Sequence, residues 1–187
     1  TNWVRLAAGT SGHQLQTGGA GANPSWTGAS GTVGSGAVVK TQIVDKADVF
    51  TPGSNYNVYT DITGLSGVIS PSATTSKIFL SGVVNLACNS RTMIIRIMRS
   101  IAGGAFAEVG SGTAVGNRTQ AHSSAQTDAG DDGPNGAAVH FVDSPTFTSG
   151  QAVTYKIQAR DSVASGGNQW WCNVSDGNND AAGDTLT

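Results

Sequence analysis

The sequence predicts an all-β protein: an antiparallel β-sandwich, jelly-roll-like, preceded by an extended Gly-rich arm. Three observations predict it. Roughly eight short apolar or alternating runs follow one another from residue 37 onward, each closed by Gly, Pro, Asn or Asp. No stretch carries the 3.6-residue apolar period of a helix. The polar surface comes from Ser, Thr, Asn and Gly. Gly is 26 of 187 residues, and Asp, Glu, Lys and Arg together make only 12%, about half the usual share. The length suits one domain plus an arm, with residues 1–36 as the arm and 37–187 as the sandwich. The chain opens on Thr1 and ends on Asp184-Thr185-Leu186-Thr187, which reads as a strand cut short, so the gene product is expected to extend beyond these residues.

The arm is dominated by small residues. Between Gly9 and Trp26 the only large apolar side chains are Leu15 and Trp26. So many glycines cost more to order than this surface returns. Asn23-Pro24-Ser25-Trp26 is nonetheless a turn with an aromatic anchor, because Pro fixes its own φ and pushes Asn23 toward an extended shape. Trp3, Leu6, Leu15 and Trp26 are therefore expected to be assembly contacts, the arm being held by neighbouring copies, with a disordered linker, which would not need these side chains, as the competing reading.

From Ala37 the pattern turns to strands. Val38, Val39, Ile43 and Val44 mark the first, and Tyr56, Val58, Thr60 and Ile62 alternate in a second. Gly64 to Pro71 forms a short third. Lys77 to Cys88 is apolar on both faces, with Ile78, Leu80, Val84, Leu86 and Cys88 on one and Phe79 and Val83 on the other, which predicts a central strand covered on both sides. Thr92 to Arg99 returns after a turn and is β-branched rather than helical. Ala102-Gly103-Gly104-Ala105 is a hairpin turn into Phe106–Val109. Gly110 to Gly136 is too long for a structureless loop in a compact domain, so a strand is expected near Arg118–Ser124. Ala137–Val142, Ala152–Arg160 and Gln169–Ser175 complete the set. Trp170 and Trp171, adjacent on a strand, must face opposite sides. Cys88 and Cys172 are expected to be two buried reduced thiols.

Two stretches resemble bacteriophage virion proteins. Trp3-Val4-Arg5-Leu6, then Gly-Thr-Ser-Gly-His-Gln-Leu-Gln and Gly-Ala-Gly-Ala-Asn-Pro-Ser-Trp, is similar to the connector of phage tail-fibre proteins. Val58 to Pro71 (with Thr60-Asp61-Ile62-Thr63-Gly64-Leu65-Ser66 and Ile69-Ser70-Pro71), Ser76-Lys77-Ile78-Phe79-Leu80, Phe141-Val142-Asp143-Ser144-Pro145 and Val153-Thr154-Tyr155-Lys156-Ile157-Gln158 are similar to a β-sandwich module at the C-termini of such fibres. The resemblance implies a homotrimer carried on a virion, as tail fibre or on the capsid exterior, and supplies no catalytic residues.

The residues themselves exclude several classes. A net charge of −2 leaves no basic footprint for nucleic acid. No apolar run reaches the length of a membrane span. Glu108 is the only Glu, adjacent Asp131 and Asp132 would face opposite ways on a strand, and His13, His122 and His140 sit in unrelated contexts, so neither a carboxylate pair nor a Ser-His-Asp set is assigned. No cofactor or enzymatic activity is expected. Weak calcium-loop likenesses occur at Asp128 and Asp132, where Val139 replaces the bidentate Glu, and at Asp176, Asn178 and Asp180. An ordinary Asx-rich turn is the competing reading of both.

The expected function is a tail-fibre or receptor-binding module that attaches the particle to a bacterial surface glycan or protein, with other virion proteins gripping the arm. The receptor-binding candidates are Trp170, Trp171, Arg118, Asp128, Asp132, Asn135 and Asn168, on loops 110–136, 162–169 and 176–184 and the strand beside them. A capsid decoration protein or head fibre is the alternative, and a fibre-borne polysaccharide depolymerase the third.

Overall fold

The computed structural model describes residues 6–11, 13–28, 38–53, 56–88, 92–113, 115–126, 133–162 and 169–174. Ten strands and no helix lie among the described residues, and every strand pairing is antiparallel. The chain divides into two units, residues 1–39 and 40–187.

In the first unit, β1 (His13–Gln16) and β2 (Ser25–Gly28) form a hairpin that sets Leu15 opposite Trp26. The Trp26 indole N–H donates to the Ala7 carbonyl at 2.6 Å. Its ring also lies against Gly9, where a Cβ would sit 2.5 Å from a ring carbon, so only glycine fits. The stretch expected to be merely extended thus holds local structure. Leu6, Leu15 and Trp26 nevertheless remain exposed, and a lone two-stranded hairpin is marginal in water. Trp3 lies outside the described residues.

The second unit has two sheets. One has the order β10 (Trp170–Cys172), β4 (Ile78–Cys88), β8 (Asn135–Asp143). The other runs β3 (Thr60–Ile69), β9 (Val153–Asp161), β5 (Thr92–Ile101). Its last edge is shared by β6 (Ala107–Val109) on Ile97–Arg99 and β7 (Ser123–Gln126) on Thr92–Ile95. The inner faces meet in one core, with Val84, Leu86, Ala137, Val139 and Trp170 from the first sheet against Met93, Ile95, Ile97, Val153 and Ala159 from the second. This is a β-sandwich. Sheets of three and five strands differ from a regular pair of four-stranded sheets, and the jelly-roll arrangement stays an expectation.

Four sequence expectations are corrected. Val38–Val44 joins no ladder among the described residues. β-Branched residues favour an extended backbone but do not supply a partner. The two strands expected on either side of Gly64 are one strand, β3, with a register shift between Asp61 and Ser66. The strand expected near Arg118 starts at Ser123. β4 is not covered on both faces: Phe79 is 65% and Val83 66% exposed.

Cys88 and Cys172 are both buried and no disulfide joins them. Cys88 pairs with Trp170 and Cys172 with Leu86 across β4 and β10. The two residues are therefore diagonal neighbours on one face, a relation that sets Cα atoms roughly 7–8 Å apart, beyond the usual disulfide span. Burial pushes the Cys172 thiol up to about 11. Folded protein is expected to resist a maleimide reagent at neutral pH, whereas denatured protein takes up two equivalents. Labelling of the folded protein would show that the β4–β10 edge opens.

Candidate functional site

The two lateral openings of the sandwich are closed differently. On one side, residues 46–53 and Tyr56 reach both sheets. Asn173 Nδ2 donates to the Lys46 carbonyl at 2.6 Å, Phe50 bridges to Cys172, and the Asp161 N–H donates to the Tyr56 carbonyl at 2.8 Å. On the other side, β7 approaches β8 and His122 joins them. Its Nδ1 meets the Gly110 carbonyl at 2.8 Å, and the His140 backbone N–H donates to its Nε2 at 3.3 Å. A carbonyl can only accept and a backbone N–H can only donate, so these partners assign a neutral ring with its proton on Nδ1. Gly110, at φ +70°, turns the chain out of β6, and the Phe141 ring fills the space a Cβ would need, 2.9 Å away.

That corner carries the loop between β6 and β7. The loop closes on itself: the Gly112 N–H donates to the Ala121 carbonyl, Gln120 Nε2 donates to the Gly112 carbonyl at 2.8 Å, and the Arg118 N–H donates to the Val115 carbonyl at 3.3 Å. The Tyr59 hydroxyl donates to the Gln120 carbonyl and ties the loop to the sheet below. The result is an open depression of about 310 Å³ lined by Gly112, Thr113, Val115, Arg118, Thr119 and Gln120. Arg118, together with the hydroxyls of Thr113 and Thr119 in the same lining, is of the chemistry that can hold a carboxylate, a phosphate or sugar hydroxyls.

The other candidates separate. Trp170 is fully buried, its ring 5.6 Å from Phe50, and is core rather than a binding residue. Trp171 faces outward opposite Ala87 and is half-buried. Asn135 uses its amide inside the protein, donating to the Gln126 carbonyl at 2.6 Å. Asp128, Asp132, Asn168, Asp176, Asn178 and Asp180 lie outside the described residues. Among the described residues no three His, Cys, Asp or Glu side chains group as metal ligands.

Sequence reading missed a buried ionic cluster. Arg99 Nη1 donates to both Asp143 oxygens at 2.8 Å, and the Tyr155 hydroxyl donates to Oδ2 at 2.6 Å. Arg99 and Tyr155 are direct partners across β5 and β9, while Asp143 ends β8 of the opposite sheet. A carboxylate occupied this fully by its own protein is a clasp between sheets, not a general base. No family model matches the chain, and no characterised protein matches it in sequence.

Proposed function

We propose that the chain is a phage virion module, a tail-fibre or receptor-binding part whose sandwich carries the β6–β7 loop to a bacterial surface. The observation that carries this reading is that loop: closed by its own backbone bonds, anchored by Tyr59 and His122, and with Arg118 among the residues lining an open depression on a two-sheet body. Binding residues concentrate on loops that a rigid scaffold positions. The likeness of Trp3–Trp26 to fibre connectors supplies the virion context, and a homotrimer held through the arm and further virion proteins belongs to the same reading.

The test is competition. The purified chain is expected to block adsorption of the parent particle to its host. Arg118→Ala should weaken binding to cells about tenfold, the usual scale for a hot-spot arginine. A chain that neither binds cells nor slows adsorption rules out host attachment and leaves capsid decoration, which copy number per particle identifies.

A further inference from the structure

The outer faces of the two sheets have opposite chemistry. On the β3–β9–β5 sheet the charges are matched in a chain. Asp61 accepts from Lys156 at 2.7 Å and from Gln158 at 2.6 Å. Gln158 accepts from Arg96 at 2.7 Å, and Arg96 pairs with Glu108 at 3.0 Å. Arg96 lies 4.0 Å from the Tyr59 ring centre and Lys156 4.2 Å from that of Phe106. Ile94 and Met98 alternate with Arg96 on this outward side, yet both are buried. Most of this face is covered by paired charges, although Val68 on its edge strand stays 50% exposed.

The β10–β4–β8 sheet is not covered in this way. By strand parity its outward residues are Phe79, Ser81, Val83, Asn85 and Ala87 on β4, Ala138, His140 and Val142 on β8, and Trp171 on β10; Ala87 is buried and Trp171 half-buried, so the bare part is the β4–β8 pair. None carries a carboxylate, ammonium or guanidinium. Phe79 stands opposite Val142 and Val83 opposite Ala138. Phe79 is 65%, Val83 66% and Val142 55% exposed. The His140 ring stacks on Phe79 with centroids 6.3 Å apart, and its Nδ1 lies 3.4 Å from Ser81 Oγ. These three apolar side chains alone expose on the order of 300 Å², the size of the largest apolar patch on a typical monomer. The β4–β8 face measures roughly 10 Å by 30 Å. With Ser81 and Asn85 adding polar groups, that suits the apolar centre of an interface burying about 800 Å² per partner.

We infer that this face is a subunit interface, covered by a second copy of the same chain. Charge decides the occupant. An uncharged face meets its own copy with no like-charge repulsion at any symmetry axis. A charged protein partner would find no complement there. A lipid surface would call for basic side chains, and none of the outward residues named here is Lys or Arg. The inference rests on the sheet, not on the binding loop, and stands whether or not the module attaches to cells.

Sedimentation of the full chain across the micromolar range tests it. The wild type is expected to form a dimer or trimer. Val83→Lys and Val142→Lys, both at exposed positions, should raise the dissociation constant about 100-fold with unchanged circular dichroism. Val68→Lys, on the other sheet, should leave assembly intact. In Ala138→Cys a bis-maleimide should link copies covalently, since Cys88 and Cys172 are buried, and this readout serves even if a lysine variant misfolds. A monomeric wild type overturns the inference, as does an oligomer indifferent to both lysines or equally weakened by Val68→Lys. Loss of host binding with assembly intact would instead count against the proposed function alone.

Discussion

Asp143→Ala is expected to lower the unfolding free energy by about 3–5 kcal/mol, measured by urea denaturation. Asp143 is buried at the end of β8, where Arg99 and Tyr155 from the facing sheet both donate to it. Removing the carboxylate strands a largely buried guanidinium and a buried hydroxyl together, and an unpaired buried charge costs far more than the net worth of the pair. Asp143→Asn keeps the shape and one acceptor oxygen, so a smaller loss is expected. A loss under about 1 kcal/mol in the alanine variant would mean that the clasp holds nothing together. The same cluster gives a pH signature. Burial, then the hydrogen bond to Asp143 and the charge of Asp143, raise the Tyr155 phenol far above its ordinary value, against the opposing charge of Arg99. A group raised in the folded state stabilises fully below its unfolded value, about 10, and that contribution is lost as pH rises beyond it. Wild-type stability should therefore fall above about pH 10. Tyr155→Phe should flatten that slope, leaving smaller parts from Tyr59 and from the Cys172 thiol, both of which burial also raises.

Trp170→Ala is expected to cost about 3–5 kcal/mol by the same measurement. The ring is fully buried between β4 and Phe50 and joins the shortest strand of its sheet to the core. Neighbours fixed in two sheets and in residues 46–53 leave little room for the cavity to collapse. Trp170→Phe should cost less than half as much. The indole N–H has no hydrogen-bond partner among the described residues, so phenylalanine gives up volume but no bond. Equal losses for the two variants would show that the N–H, rather than the ring, matters.

Much of the fold was legible. Strict alternation in Val153–Asp161 and the apolar run of Ile78–Cys88 gave two strands at nearly their observed limits, because a period of two is written residue by residue. The adjacency of Trp170 and Trp171 required one to face inward, and Trp170 does. Pairing was less legible. Val38–Val44 has the composition of a strand but no ladder, and β7 lies in a loop whose pattern pointed a few residues earlier. Of the candidate site, Arg118 was found by its place in a long polar loop. The supports that shape the loop, Tyr59 and His122, are remote or ambiguous in sequence. Nothing at Arg99, Asp143 or Tyr155 signals that strands distant in the chain bring them together.

What the sequence determined by itself is local: an all-β chain, its turns, the inward and outward parity of each strand, and a surface with few charges. These follow from backbone sterics and side-chain type, which act between near neighbours. Only the tertiary structure decided which strands are neighbours, that Asp143 is clasped, and that Phe79 and Val83 lie bare rather than covered. Burial and hydrogen-bond satisfaction depend on what stands opposite a residue, and in a sandwich the opposite residue comes from a distant part of the chain.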